Sequence, residues 1–201
     1  MNEKYRFGAV IPAAGLSSRM GAFKPLLPYG DSTIIETSVG SAIPYIATAS
    51  VIVGYRGNEV TDVLKKRFGD RLTIVTNPDY ASTDMLRSVQ LGLRAIGECD
   101  AFFLLPADMP LIAPSVYEAL ISSFNSACDV IYPVIDGRRG HPPLINARLI
   151  EPILEYKGDG GLRAILGDRR IKEVAINDRG ILTDIDTSED YSMIKNIITD
   201  H

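Results

Sequence analysis

Short runs of consecutive apolar residues alternate along the chain with longer stretches in which apolar positions recur every three or four residues. A continuous apolar run bounded by turn residues suits a strand covered on both faces; the three-to-four spacing suits a helix with one buried face. This pattern predicts strands at Phe7–Pro12, Ser50–Val53, Leu72–Val75, Ala101–Leu105, Val130–Pro133, Lys172–Ile176 and Ile181–Ile185. It predicts helices at Ser32–Ile43, Glu59–Phe68, Met85–Ile96, Pro114–Phe124, Ala147–Leu154, Gly161–Leu166 and Ser188–Thr199. Strands that alternate with helices imply an α/β fold whose central sheet is mostly parallel, with the helices as crossovers. Pro114 suits a first helical turn, and Ser188 followed by Glu189 and Asp190 offers a cap and acids matched to the helix dipole.

At 201 residues the chain has the length of one large domain, and one domain spanning residues 1–201 is expected. There is no internal repeat or low-complexity linker; the Gly-, Arg- and Pro-rich stretch Asp136–Pro143 reads as a functional loop inside the domain. The net charge is −4 and the basic residues are scattered, which gives no electrostatic case for nucleic acid as a partner. Cys99 and Cys128 stand far apart with no CxxC spacing, as expected of two reduced thiols in a cytoplasmic protein. The apolar run Phe7–Ala14 is interrupted by Pro12 and is too short for a signal peptide or a membrane span, and no helix combines a basic face with a large apolar one.

Three segments carry candidate chemistry. The first follows the first strand: Pro12-Ala13-Ala14-Gly15-Leu16-Ser17-Ser18-Arg19-Met20-Gly21, then Lys24 and Pro25. Small residues let a ligand approach the backbone, successive N–H groups in a Gly/Ser turn form an anion-binding nest, and Arg19 and Lys24 add charge suited to a triphosphate. The segment is neither GxxxxGK[ST] nor GxGxxG, so a P-loop and a dinucleotide-binding dehydrogenase are disfavoured; an ordinary strand-to-helix turn also fits. The second is Pro106-Ala107-Asp108-Met109-Pro110, which sets a carboxylate at the carboxyl end of a strand, where open α/β sheets bind ligands and a metal ion is well served. A turn in which Asp108 satisfies local backbone donors is the alternative. The third is Thr183-Asp184-Ile185-Asp186-Thr187, in which an extended backbone puts both carboxylates on one face, beside a helix start capped by Thr187 or Ser188. Mg²⁺ uses one or two carboxylates together with phosphates and waters, so these acids are sufficient. Gly140-His141-Pro142-Pro143 and Gly158-Asp159-Gly160-Gly161-Leu162-Arg163 are further candidates, the latter as a glycine turn into a helix N-terminus.

The runs AAGLSSRMGAFKPLL (13–27), PADMP (106–110), GHP (140–142), GDGGLRAIL (158–166) and DIDTSED (184–190) occur in this order over nearly the whole chain. As a set they resemble the nucleotidyltransferase family that includes molybdenum cofactor cytidylyltransferase. The resemblance implies a Rossmann-like, three-layer nucleotidyltransferase fold that moves a nucleoside monophosphate onto a phosphate acceptor, with Mg²⁺ as cofactor. It implies nucleotide contacts from Ala13, Ala14, Gly15, Leu16, Ser17, Ser18, Arg19 and Lys24, with Asn77, Ser82 and Ser88 as polar candidates near the base. Asp108 and Asp186 would hold the metal, with Asp184 in reserve; Arg19, Lys24, Asp108 and Asp186 form the catalytic set; His141, Pro142, Gly160, Gly161 and Arg163 face the acceptor.

The AAG form of the first loop points to CTP, and the acceptor implied is a phosphorylated pterin whose product passes to a recipient molybdoenzyme or chaperone. Three residues depart from the family pattern: Pro12 for Leu, Ser188 for Pro, and Asp84 for Gly. The first two leave the functional groups intact, whereas Asp84 adds a negative charge beside an anionic acceptor. A sugar phosphate or another phosphorylated metabolite is therefore the alternative acceptor, and a non-catalytic nucleotide- or cofactor-binding protein is the alternative from a different class.

Overall fold

The structure is a computed structural model that describes residues 5–15 and 22–199. Its centre is β1 (Phe7–Ala13), flanked in parallel by β4 (Thr48–Val53) on one side and β6 (Ala101–Leu104) on the other. Beyond β4 lies β5 (Thr73–Thr76), also parallel. Beyond β6 lies β9 (Leu144–Asn146), which is antiparallel to both β6 and its other neighbour β7 (Val130–Ile135); β10 (Ile171–Ala175) closes this edge, parallel to β7. The short β8 (Arg138–Arg139) folds back on β7, and β2 (Pro28–Tyr29) with β3 (Ser32–Thr33) makes a separate small hairpin.

Side-chain alternation along the strands separates two apolar layers. Ala9 and Ile11 of β1 and Phe103 of β6 face one side, against α1 (Ile34–Ala42), α2 (Gly57–Phe68) and α4 (Pro114–Ser123). Val10, Ile52 and Phe102 face the other, against α3 (Met85–Ala95), α5 (Ile150–Glu155) and α6 (Gly161–Gly167). The result is helix, sheet, helix: the α/β fold with a mostly parallel sheet that the hydrophobic pattern implies. The last helix, α7 (Ser188–Thr199), adds Ile194 to a small cluster with Ile34 and the fully buried Ile185.

One expected strand is absent. Ile181–Ile185 forms no ladder; Arg179–Leu182 winds into a 3-10 turn followed by extended chain. Asp178 explains this, because its carboxylate accepts from Gly180 N at 2.8 Å and from Ala113 N at 2.9 Å, which starts a turn and pins it to the segment before α4. Ile181 is still fully buried, so the apolar pattern reports burial and not ladder pairing.

The β7–β9–β10 side of the sheet is held by a buried carboxylate. Asp129 accepts from Arg148 through Nε at 2.5 Å and also pairs with Arg148 Nη2. It further accepts from Arg170 through backbone N at 3.0 Å and Nε at 3.2 Å. Burial pushes this carboxyl up, but the backbone and side-chain donors of Arg170 and the guanidinium of Arg148 outweigh it and hold it at about 2, below the usual 3.8. A depressed carboxyl contributes stability above its unfolded-state value and loses it as pH falls through the folded one. Asp129→Asn is therefore expected to cost about 1–3 kcal/mol near neutral pH, discounted for the solvent-exposed Arg170 pair. Urea unfolding should show the gap from wild type closing between pH 4 and pH 2, and a gap independent of pH would refute the assignment. Cys99 and Cys128 are free thiols, and burial with the nearby Asp100 pushes the Cys99 thiol up to about 11, well away from reactive thiolate. Among the described residues no helix is long and apolar enough to cross a membrane.

Candidate active site

The connections leaving β1 and β6 diverge, β1 leading toward β4 and β6 toward the β7–β9 side, which makes the crevice between their carboxyl ends a topological switch point. A cavity of about 540 Å³ opens there. Ala13, Ala14 and Gly15 at the end of β1 form one wall, and the segment leading into α3 forms another. Asp108 lies just past β6, Asp184 and Asp186 approach from the chain before α7, and Arg139 to His141 reach in from the β8 arm.

Local structure explains why these groups meet. Ile185 N donates to Asp108 O at 3.2 Å while the Ile185 side chain anchors in the core, so the alternation of an extended segment turns Asp184 and Asp186 toward the cavity. Asp190 closes a reciprocal cap with Thr187: Thr187 N donates to Asp190 Oδ2 at 2.7 Å and Asp190 N donates to Thr187 Oγ1 at 3.1 Å, which starts α7 directly behind the acids. Lys24, only 8% exposed and at the head of a 3-10 turn, reaches the same place from the first loop. Its Nζ lies 2.5 Å from Asp186 Oδ1 and 3.7 Å from Asp108 Oδ2.

The electrostatics follow from this crowding. Burial pushes the Asp108 carboxyl above its ordinary value; the Lys24 ammonium opposes the shift, and the charges of Asp184 and Asp186 add to it. Water reaches the His141 ring, yet the protein atoms packed around the cavity disfavour its imidazolium and lower its pKa, with Asp184 pulling weakly the other way. The imidazole is thus biased toward its neutral form, which can both donate and accept a hydrogen bond. Among the described residues three carboxylates face one ammonium on the cavity floor, and their oxygens are donors of the kind a divalent cation takes. Among the described residues no group of three or more His, Cys, Asp or Glu side chains is arranged so as to hold a metal ion.

The residues singled out from sequence are distributed unevenly about this cavity. Ala13, Ala14, Gly15, Lys24, Ser88, Asp108, His141, Asp184 and Asp186 line it. Leu16, Ser17, Ser18 and Arg19 lie outside the described residues. Asn77 is 1% exposed and engaged internally: its Nδ2 donates to Thr83 Oγ1 and Ser88 Oγ, both at 3.2 Å, and its Oδ1 accepts from Asp79 N at 3.0 Å. It ties the loop before α3 to that helix and does not line the cavity, nor does Ser82, whose hydroxyl donates to Asp79 O. Pro142 is buried behind His141; Gly160, Gly161 and Arg163 start α6 away from the cavity wall. Conversely, Tyr80, Thr83, Met85 and Arg139 line the cavity without having been selected from sequence, although Arg139 stands directly before the GHP run.

The sequence matches the MobA-like NTP transferase domain over residues 9–174. The chain belongs to the MobA-like NTP transferase family. It is 33% identical to the molybdenum cofactor cytidylyltransferase of Escherichia coli over 195 residues, covering 95% of this chain and 96% of that protein. A probable molybdenum cofactor guanylyltransferase of Bacillus cereus is 26% identical, covering 92% and 94% of the two chains. Among solved structures, a nucleotidyl transferase from Methanothermobacter superposes with a TM-score of 0.81 at 25% identity, over 97% of this chain and 98% of that one. The MobA-like chain is accordingly a nucleotidyltransferase, on the fold that its sequence motifs imply.

The arm that carries His141 in this MobA-like transferase is set by close packing at Gly140. Gly140 N donates to Pro133 O and His141 N to Ile181 O, both at 2.8 Å, while a Cβ on Gly140 would lie 2.5 Å from Ile181 O. Because the obstacle is backbone, Gly140→Ala must displace the arm or the 3-10 turn. It is expected to destabilise the fold by about 1–3 kcal/mol, read as a lower midpoint in urea. A midpoint equal to wild type would show that the two segments separate freely.

Proposed function

We propose that this MobA-like transferase moves CMP from CTP onto the phosphate of a molybdopterin-type cofactor, with release of pyrophosphate. The observation that carries this reading is the group of Asp108, Asp184, Asp186 and Lys24 on the floor of a cavity at the switch point of the sheet. The choice of CTP and of the pterin rests on the identity to the Escherichia coli cytidylyltransferase, supported by the AAG loop.

An acceptor phosphate is already ionised at neutral pH, so attack on the α-phosphorus asks for alignment and charge neutralisation more than for a general base. The small residues at Ala13, Ala14 and Gly15 let the nucleotide approach the backbone. Lys24 would stabilise the charge on the departing pyrophosphate together with Arg19. His141, in its neutral form, would donate or accept a hydrogen bond on the acceptor side. Asp108 and Asp186, with Asp184 in reserve, would hold Mg²⁺, which when bound supplies charge neutralisation at the reacting phosphates.

The test is pyrophosphate release with Mg²⁺, each of the four ribonucleoside triphosphates, and molybdopterin as acceptor. Release that needs both CTP and the pterin is the expected result. Release with GTP alone would overturn the base assignment, and silence with all four would overturn the acceptor.

A further inference from the structure

We propose that Arg139 binds the phosphate monoester of the acceptor, held ready for it by Glu173 and Tyr132; the inference rests on the acceptor being a phosphate, as proposed above. The charge on the cavity wall poses the problem. Among the described residues, its lining carries four carboxylates, on Asp84, Asp108, Asp184 and Asp186, against the cations Lys24 and Arg139. Lys24 is already engaged with Asp186 and faces Asp108. Among the described residues Arg139 is the other cation of this lining, and its own partner Glu173 is not part of the lining, so the guanidinium meets a dianion in the cavity while it stays paired.

The way Arg139 is held suits that task. Its Nε donates to Glu173 Oε1 at 2.7 Å, and its guanidinium lies over the Tyr132 ring, 5.1 Å from the centroid. Both partners grip the inner part and the face of the group, and among the described residues no hydrogen bond engages Nη1 or Nη2. A half-exposed guanidinium held at Nε and over a ring, with its terminal donors unbonded, is positioned for bidentate phosphate recognition. Arg148, by contrast, uses those atoms internally, donating through Nη1 to Ser126 O and through Nη2 to Ala127 O. The backbone beneath Arg139 is equally constrained, since β8 pairs Arg139 with Val134 and the next residue is the close-packed Gly140.

The experiment measures pyrophosphate release with molybdopterin and CTP varied in turn. Arg139→Gln is expected to raise the acceptor KM by about 10- to 100-fold, the range for loss of hydrogen bonds to a charged group, with the KM for CTP within twofold of wild type. Arg139→Lys, which keeps the charge but loses the fork, should fall between the two. Glu173→Gln, which loosens the grip on Nε, should raise the acceptor KM several-fold and leave that for CTP unchanged. An acceptor KM for Arg139→Gln within twofold of wild type, or an equal rise in both KM values, overturns the proposal. Calorimetric titration with phenyl phosphate, without nucleotide, separates this from the reaction assignment: wild type should bind it and Arg139→Gln should bind at least ~10-fold more weakly. Equal binding, or none by wild type, sinks the role of Arg139. Silence in turnover with measurable, Arg139-dependent phenyl phosphate binding would instead remove the pterin reading and leave the phosphate site standing.

Discussion

Replacing Asp108 by Asn is expected to lower turnover by about a thousandfold while nucleotide affinity stays within a few-fold of wild type. Asn keeps the shape of the side chain, and the bond from Ile185 N goes to the Asp108 backbone carbonyl, so the tie between the two acid-bearing segments survives. What changes is the charge at the carboxyl end of β6, where Asp108 faces Lys24 on one side and Asp184 and Asp186 on the other. A carboxylate that is partly desolvated among like charges costs the fold stability unless a cation compensates it, which is the pattern of a group retained for binding a charged ligand. Single-turnover pyrophosphate release, with CTP titrated separately by calorimetry, divides chemistry from binding. Unchanged turnover would remove Asp108 from the proposed metal site, and a fall in both quantities together would assign it to nucleotide binding.

Replacing Lys24 by Gln is expected to act on the empty protein as well as on the reaction. The Lys24 side chain is 10% exposed and faces Asp108 and Asp186, whose own side chains are 31% and 41% exposed. Breaking a buried pair costs about 3–5 kcal/mol; with both acids partly in water, a loss of about 1–3 kcal/mol is expected here. The loss should appear as a lower Tm in metal-free buffer, and Mg²⁺ should restore part of it, because an ion that binds only the folded state stabilises by mass action. CTP affinity should fall by about 10- to 100-fold, the effect of removing a charge-assisted partner of the phosphates. A Tm equal to wild type without metal would show that Lys24 is not the counter-charge of this acid cluster.

Much of the architecture was legible because burial leaves a periodic trace. The strands at Phe7–Ala13, Thr48–Val53 and Ala101–Leu104 are covered on both faces and read as continuous apolar runs, and each begins or ends within a few residues of its expected limit. The trace fails where burial and ladder pairing part company. Ile181 is buried in a 3-10 turn, and Leu144–Asn146 pairs antiparallel between β6 and β7 over only three residues, too few to show a period. Asn77 shows a similar limit at the side-chain level, since nothing in an Asn within a polar loop distinguishes a ligand contact from three internal hydrogen bonds.

By itself the sequence determined the α/β alternation, the small-residue loop after the first strand, and the acids at Asp108 and in Asp184-Ile185-Asp186, because these depend on residue type and short-range spacing. Only the tertiary structure decided that Lys24 meets Asp186 across 162 positions of sequence, that α6 starts away from the cavity wall, and that Glu173 on the edge strand bonds the Nε of the cavity-lining Arg139. Those outcomes depend on strand order and on which face of each element is buried. Both are set by long-range packing, which local periodicity does not encode.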